Sequence, residues 1–130
     1  MSKKLLMIGL TAMLLAAGSG CVLFVAGGAA VVGAGGYAYV KGEVKSTEGA
    51  SLDRAWQATL AAMKDLGYPI AKQGKDALAG ELTAHNASGK EVYIYEKKVS
   101  DTATEISIRV GTFGDENLSR TILMKIKSHI

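Results

Sequence analysis

Cysteine is nearly missing from these 130 residues, and Cys21 stands alone. A disulfide framework and a zinc site built from cysteine pairs are therefore excluded. Histidine is scarce as well, limited to His85 and His129. No carboxylate stands at ligand spacing around either one, so no metal and no other cofactor is expected. The chain has no Gly-x-Ser-x-Gly elbow, phosphate loop or zincin helix, and no catalytic residue is assigned. Charge imbalance is lacking too. The net charge of +3 is owed mostly to Lys3 and Lys4, because residues 41–130 carry 13 basic and 12 acidic side chains. Such a balance offers no footprint for nucleic acid. The length allows one folded domain and excludes a multidomain enzyme.

What is present is divided along the chain. Residues 1–40 hold 27 hydrophobic residues and eight glycines, with Lys3 and Lys4 as their only charges. Met1 to Lys4 is a short positive region, Leu5 to Ala17 is an apolar run, and Ala16-Ala17-Gly18-Ser19-Gly20 leads to Cys21. This is the layout of a secretory signal, and the run is too short to span a bilayer comfortably. Ser19-Gly20-Cys21 resembles the lipobox of a bacterial lipoprotein signal, with Gly18 where leucine is usual. The resemblance implies a signal peptide at 1–20, cleavage before Cys21 and acylation of the Cys21 thiol. Each buried CH₂ of such chains contributes about 0.8 kcal/mol, enough for permanent anchoring when two or three are attached. Val22, rather than aspartate, follows the cysteine. In Gram-negative cells that resembles an outer-membrane address facing the periplasm, with the inner membrane as the alternative.

The second apolar block, Val22 to Val40, carries no charge. As a helix its nineteen residues would run about 28 Å, close to the thickness of a bilayer core. Ala26, Ala30, Ala34 and Ala38 recur every four residues, a small-xxx-small pattern that favours close approach of membrane helices and leaves an oligomer open. Tyr37 and Tyr39 at the far end would suit a headgroup boundary. Residues 21–40 are thus expected to be membrane-proximal, with spanning and surface-lying arrangements both open. Gly33-Ala34-Gly35-Gly36-Tyr37-Ala38 fits a dinucleotide fingerprint by spacing. It lacks the following amphipathic helix and the βαβ unit that such a fingerprint needs.

Residues 41–130 read as a folded domain. Glu43 to Thr47 is a polar strand. Ser51 caps a helix to Leu66 that places Leu52, Ala55, Trp56, Leu60 and Met63 on one face; Gly67 stops it and Pro69 prevents continuation. A short strand follows around Tyr68–Lys72. Leu78, Leu82 and Ala84 then alternate with polar neighbours, Asn86-Ala87-Ser88-Gly89 makes a turn, and Val92 and Ile94 alternate with Tyr93 and Tyr95. Ile106, Ile108 and Val110 form the last strand. Asp115 caps a second helix with Leu118, Ile122, Ile126 and Ile130 inward. The expected fold is α+β, an antiparallel sheet of four to five strands with two helices packed on one face. The other face is left to water or a partner. It carries Tyr93, Tyr95, Lys97, Glu105 and Arg109, and Tyr93, Tyr95 and Arg109 are the candidate partner-binding residues. The plainer reading of the tyrosines is strand propensity. Asp115 and Glu116 are read as helix-start residues, and Gly111 and Gly114 as shapers of the turn around Phe113.

Tyr37-Ala38-Tyr39-Val40-Lys41-Gly42-Glu43, Leu52-Asp53-Arg54-Ala55-Trp56 and Arg109-Val110-Gly111-Thr112-Phe113-Gly114-Asp115-Glu116 together resemble a family of small Gram-negative lipoproteins of unknown function, over nearly the whole chain. The Trp-containing helix with Leu66-Gly67-Tyr68 is similar, more weakly, to helix-grip modules of a lipoprotein subunit of the outer-membrane barrel-assembly machinery. These resemblances imply a location and an architecture, and no catalytic residue. Three functions follow as expectations. The first is a non-enzymatic envelope lipoprotein that binds another envelope protein or supports an assembly. The alternatives are a membrane-structural protein that self-associates through its Ala/Gly segment, and a small periplasmic ligand-binding protein or hydrolase.

Overall fold

Period-two alternation becomes a single sheet, and the two capped segments become the helices that cover it. The computed structural model describes residues 37–130. Their order is β1 (Ala38–Val40), β2 (Glu43–Glu48), α1 (Leu52–Leu66), β3 (Ile70–Lys75), β4 (Ala79–His85), β5 (Glu91–Ser100), β6 (Ala103–Val110) and α2 (Glu116–Lys127). The six strands form an antiparallel sheet in the order β1-β2-β6-β5-β4-β3. Helix α1 therefore carries the chain from β2 to the opposite edge, and the β3–β6 meander brings it back to pair β6 with β2.

Local chemistry sets the helix ends. The Ser51 hydroxyl accepts the Arg54 amide at 3.2 Å, and Gly67 ends α1 with φ of 69°. Asp115 accepts the Leu118 amide at 3.0 Å and starts α2. Both helices lie on one side of the sheet. Ala55, Trp56, Ala62 and Met63 of α1 and Ile122, Leu123 and Ile126 of α2 meet Val44, Leu82, Ala84, Val92, Ile94, Ile106, Ile108 and Val110 in one buried cluster. Full burial of each larger side chain contributes about 1.5–3 kcal/mol.

The sheet has six strands, one more than the upper expectation. The addition is β1, which forms a hairpin with β2 inside the stretch assigned to the membrane-proximal segment. Lys41 and Gly42 both have positive φ, 52° and 83°, as a two-residue type I′ turn requires. The pairing places Tyr39 opposite Val44 on the helix-covered side. Tyr37 likewise turns to the protein, its hydroxyl donating to Glu116 Oε1 at 3.0 Å. A second difference concerns Leu78, which lies in the turn before β4 and is 68% exposed. Gly80 takes the inward position instead, because Trp56 occupies that space: a Cβ on Gly80 would come within 2.7 Å of the indole.

The expected signal peptide at 1–20, Cys21, the repeated Ala26, Ala30 and Ala34, and Gly33–Gly36 lie outside the described residues. Among the described residues no helix is long and apolar enough to cross a membrane.

Candidate functional site

The open face of the sheet is assembled by strand register. Tyr93 and Tyr95 are two apart on β5, so both point away from the helices. Tyr93 lies opposite Arg109 on β6 and Thr83 on β4, and Tyr95 lies opposite Ser107 and Glu81. Directly opposed side chains on one face sit about 5 Å apart at Cβ. The structure thus brings all three sequence-predicted residues onto one surface, with different freedom. The Tyr93 hydroxyl donates to Glu81 Oε2 at 3.2 Å. Partial burial, and then this bond to the carboxylate, raise its pKa above the usual phenol value. Tyr95 is half-buried and has no hydrogen-bond partner among the described residues. A shallow hollow of about 380 Å³ opens beside it, lined by Gly74, Lys75, Asp76, Ala79, Gly80 and Glu81.

The partly exposed Arg109 side chain is committed to neighbouring groups of the protein itself. Its Nη2 donates to the Lys41 carbonyl at 2.5 Å, its Nη1 to the Thr112 carbonyl at 3.4 Å, and its Nε lies 3.7 Å from Glu43 Oε1. The guanidinium thereby ties the β1–β2 turn to the loop that follows β6. That loop packs hard on the turn: Gly114 has φ of 81°, and a Cβ there would collide with the Gly42 backbone. Gly111, at φ 71°, is the other left-handed point of the loop. Both glycines serve backbone geometry. Phe113 between them is 94% exposed and borders an open groove of about 660 Å³ with Lys90, Glu91 and Asp115.

The helix-covered face holds an acid that sequence reasoning passed over. Glu96 is fully buried on β5, in an inward row with Gly80 of β4 and Ile106 of β6. The Thr59 hydroxyl of α1 donates to its Oε1, while Oε2 has no partner among the described residues. Burial pushes the Glu96 carboxyl up to about 7, with the Thr59 bond and the Lys75 charge opposing the shift. The signal was available, since the phase of Val92 and Ile94 continues to position 96. Lys75 itself pairs with Asp53 of α1 at 2.5 Å and, with that hydrogen bond, lowers the Asp53 pKa.

The remaining candidates are committed or dispersed. Asp115 caps α2, Glu116 accepts from Tyr37, and His129 Nε2 lies 2.6 Å from Asp65 Oδ2. His85 ends β4, far along the chain from that pair. Among the described residues no group of three or more His, Cys, Asp or Glu is placed to hold a metal ion. The open face thus presents a tyrosine whose hydroxyl has no partner among the described residues, and the loop after β6 presents an exposed phenylalanine.

Among curated proteins none matches the chain. A family of proteins of unknown function (DUF3568) matches residues 4–129, and with nearly its whole length covered the chain belongs to that family.

Proposed function

We propose that the protein is a bacterial envelope lipoprotein, held in the outer membrane through acylated Cys21 and the apolar residues after it. Its α+β domain docks another envelope protein with the open face of the sheet and performs no reaction of its own. The observation that carries the docking part is Tyr95. Its ring is half-buried at the centre of the face, its hydroxyl is uncommitted among the described residues, and a hollow lies beside it. Aromatic anchors of this kind, rimmed by polar side chains, are enriched where partners bind. Glu81, Lys97 and Glu105 supply such a rim. The anchoring part rests on the order of charged, apolar and small residues before Cys21.

Two experiments test the two parts. A photoreactive phenylalanine analogue at Tyr95, in cells, should give a discrete adduct larger than the chain, and the same analogue at exposed Gln57 on α1 should give none. Absence of the Tyr95 adduct would remove the docking role. Cys21→Ser should block maturation and release the chain from the membrane fraction; a mature, membrane-retained variant would remove the lipoprotein role.

A further inference from the structure

We infer that Glu96 is a proton-operated latch beneath α1. With its carboxyl neutral, α1 lies seated on β4 and β5; when the proton leaves to water, α1 parts from the sheet while α2 stays in place. The latch is independent of anchoring at Cys21 and of docking at Tyr95.

The two helices rest on unlike floors. Helix α2 lies over β6 and β2, where Val44, Ile106, Ile108 and Val110 are buried. Helix α1 lies mainly over β4 and β5. There the inward positions are Gly80, Leu82 and Ala84 on β4 and Val92, Ile94 and Glu96 on β5. Glu96 is the one fully buried acid among the described residues. Its hydrogen bond comes from the Thr59 hydroxyl, midway along α1, and Oε2 has no partner among the described residues. One donated bond serves a neutral carboxyl, whereas a carboxylate taken out of water needs several donors or a cation. Thr59 and Glu96 face each other across the seam between α1 and the sheet, so opening that seam admits water to the charge.

The cations on the surrounding elements are engaged elsewhere. Lys75 of β3 is inward in the same cross-strand row, with Gly80 between it and Glu96 and Trp56 filling the space over Gly80. Its Nζ is held by Asp53 of α1 at 2.5 Å. Lys98, on β5 and on the face of Glu96, pairs with Asp101 at 3.0 Å. Helix α1 turns Arg54, Lys64 and Asp65 to solvent. The inward residues of β4, and Thr104 and Ile106 of β6, do not titrate. On the α2 side, Lys127 lies 3.7 Å from Glu48 of β2, which also accepts from Ser46.

This enclosure is what lifts the Glu96 carboxyl to about 7, and the Thr59 bond and the Lys75 charge offset it only in part. With α1 parted and Glu96 solvated, the ordinary value of 4.5 returns. The seated state therefore binds the proton more tightly. Seating is strongest below the lower value and weakens as pH rises to the upper one, by on the order of a hundredfold in the equilibrium. Parting uncovers Trp56 and the apolar side of α1.

Hydrogen exchange of the full chain in detergent, corrected for the intrinsic effect of pH, reads the two helices separately. From about pH 5 to about pH 8, protection over residues 52–66 should fall about tenfold or more beyond any fall over residues 116–127. Trp56, the single tryptophan, should become more accessible to acrylamide over the same range. Glu96→Gln should hold both readings at their acid level throughout. Equal loss over the two helices would mean that the charge acts on global stability alone, and would overturn the latch. Protection of α1 that ignores pH, or a pH response that persists in Glu96→Gln, would overturn it as well. Should that variant fail to fold, the infrared band of a protonated carboxyl in the parent chain decides. It should fade in step with the exposure of Trp56, and a band that fades while Trp56 stays shielded contradicts the latch.

Discussion

The two faces of the sheet solve opposite problems with much the same residue types. On the helix-covered face, aromatic and acidic side chains are enclosed: Trp56 lies over Gly80, and Glu96 sits under α1 with Thr59 as its one hydrogen-bond partner among the described residues. On the open face and its adjoining corner, the tyrosines and Phe113 reach solvent, and most acids are answered by a neighbour: Glu81 by Tyr93, Glu43 by Arg109. Enclosure makes a side chain matter for stability in either direction, favourable for an indole and unfavourable for a carboxylate. Exposure frees it for contact with something else. Stability and binding should therefore separate by face.

The comparison can be broken first at its strongest point. Trp56→Ala should destabilise the fold by about 3–5 kcal/mol, because the indole fills a space that no neighbour can enter without moving backbone. Chemical denaturation measures this directly. Next comes Glu96. Its folded value of about 7 lies above the ordinary 4.5, so folding takes up a proton between those pH values. Stability should be greatest below the lower value and fall as pH rises to the upper one. Glu96→Gln should flatten that dependence and stabilise the protein at pH 8 by on the order of 2 kcal/mol, with little effect at pH 4. Urea midpoints across pH provide the readout.

On the open side the effects should shrink. Arg109→Ala should cost about 1 kcal/mol, through loss of charge-assisted bonds that are partly solvated, and should speed amide exchange in the β1–β2 turn. Tyr93→Phe should cost about 0.5 kcal/mol for one half-exposed bond. Phe113→Ser should leave stability within about 0.5 kcal/mol of the parent, the usual range for a solvated position. A large cost at Phe113 would mean that its ring is packed, and the separation by face would fail.

How much of this was legible depended on the range of the forces involved. The caps at Ser51 and Asp115 and the stop at Gly67 act within a few residues, and their sequence signatures translated into the observed ends. The alternation at Ile106, Ile108 and Val110 likewise sufficed to place β6 facing the helices. Strand β1 was hidden because Tyr37 to Val40 continues a Gly/Ala-rich apolar run, and only the left-handed pair Lys41-Gly42 marks the hairpin. Leu78 falls outside β4, and the inward position at Gly80 is filled by Trp56 arriving from another element, something periodicity does not encode. Tyr93, Tyr95 and Arg109 were correctly grouped by phase. The internal employment of Arg109 depends on two backbone carbonyls that no side-chain pattern reveals. Phe113 was read as part of a turn, and its exposure follows from how that turn is braced on Gly42.

The central claim is that this domain works at a membrane to which Cys21 fastens it. The intact mass of the protein extracted from envelopes tests that most directly. The account predicts a chain beginning at Cys21 and heavier than its sequence by a thiol-linked diacylglycerol and an amide-linked acyl chain. A chain that retains Met1 to Gly20, or one that begins at an unmodified Cys21, would contradict it.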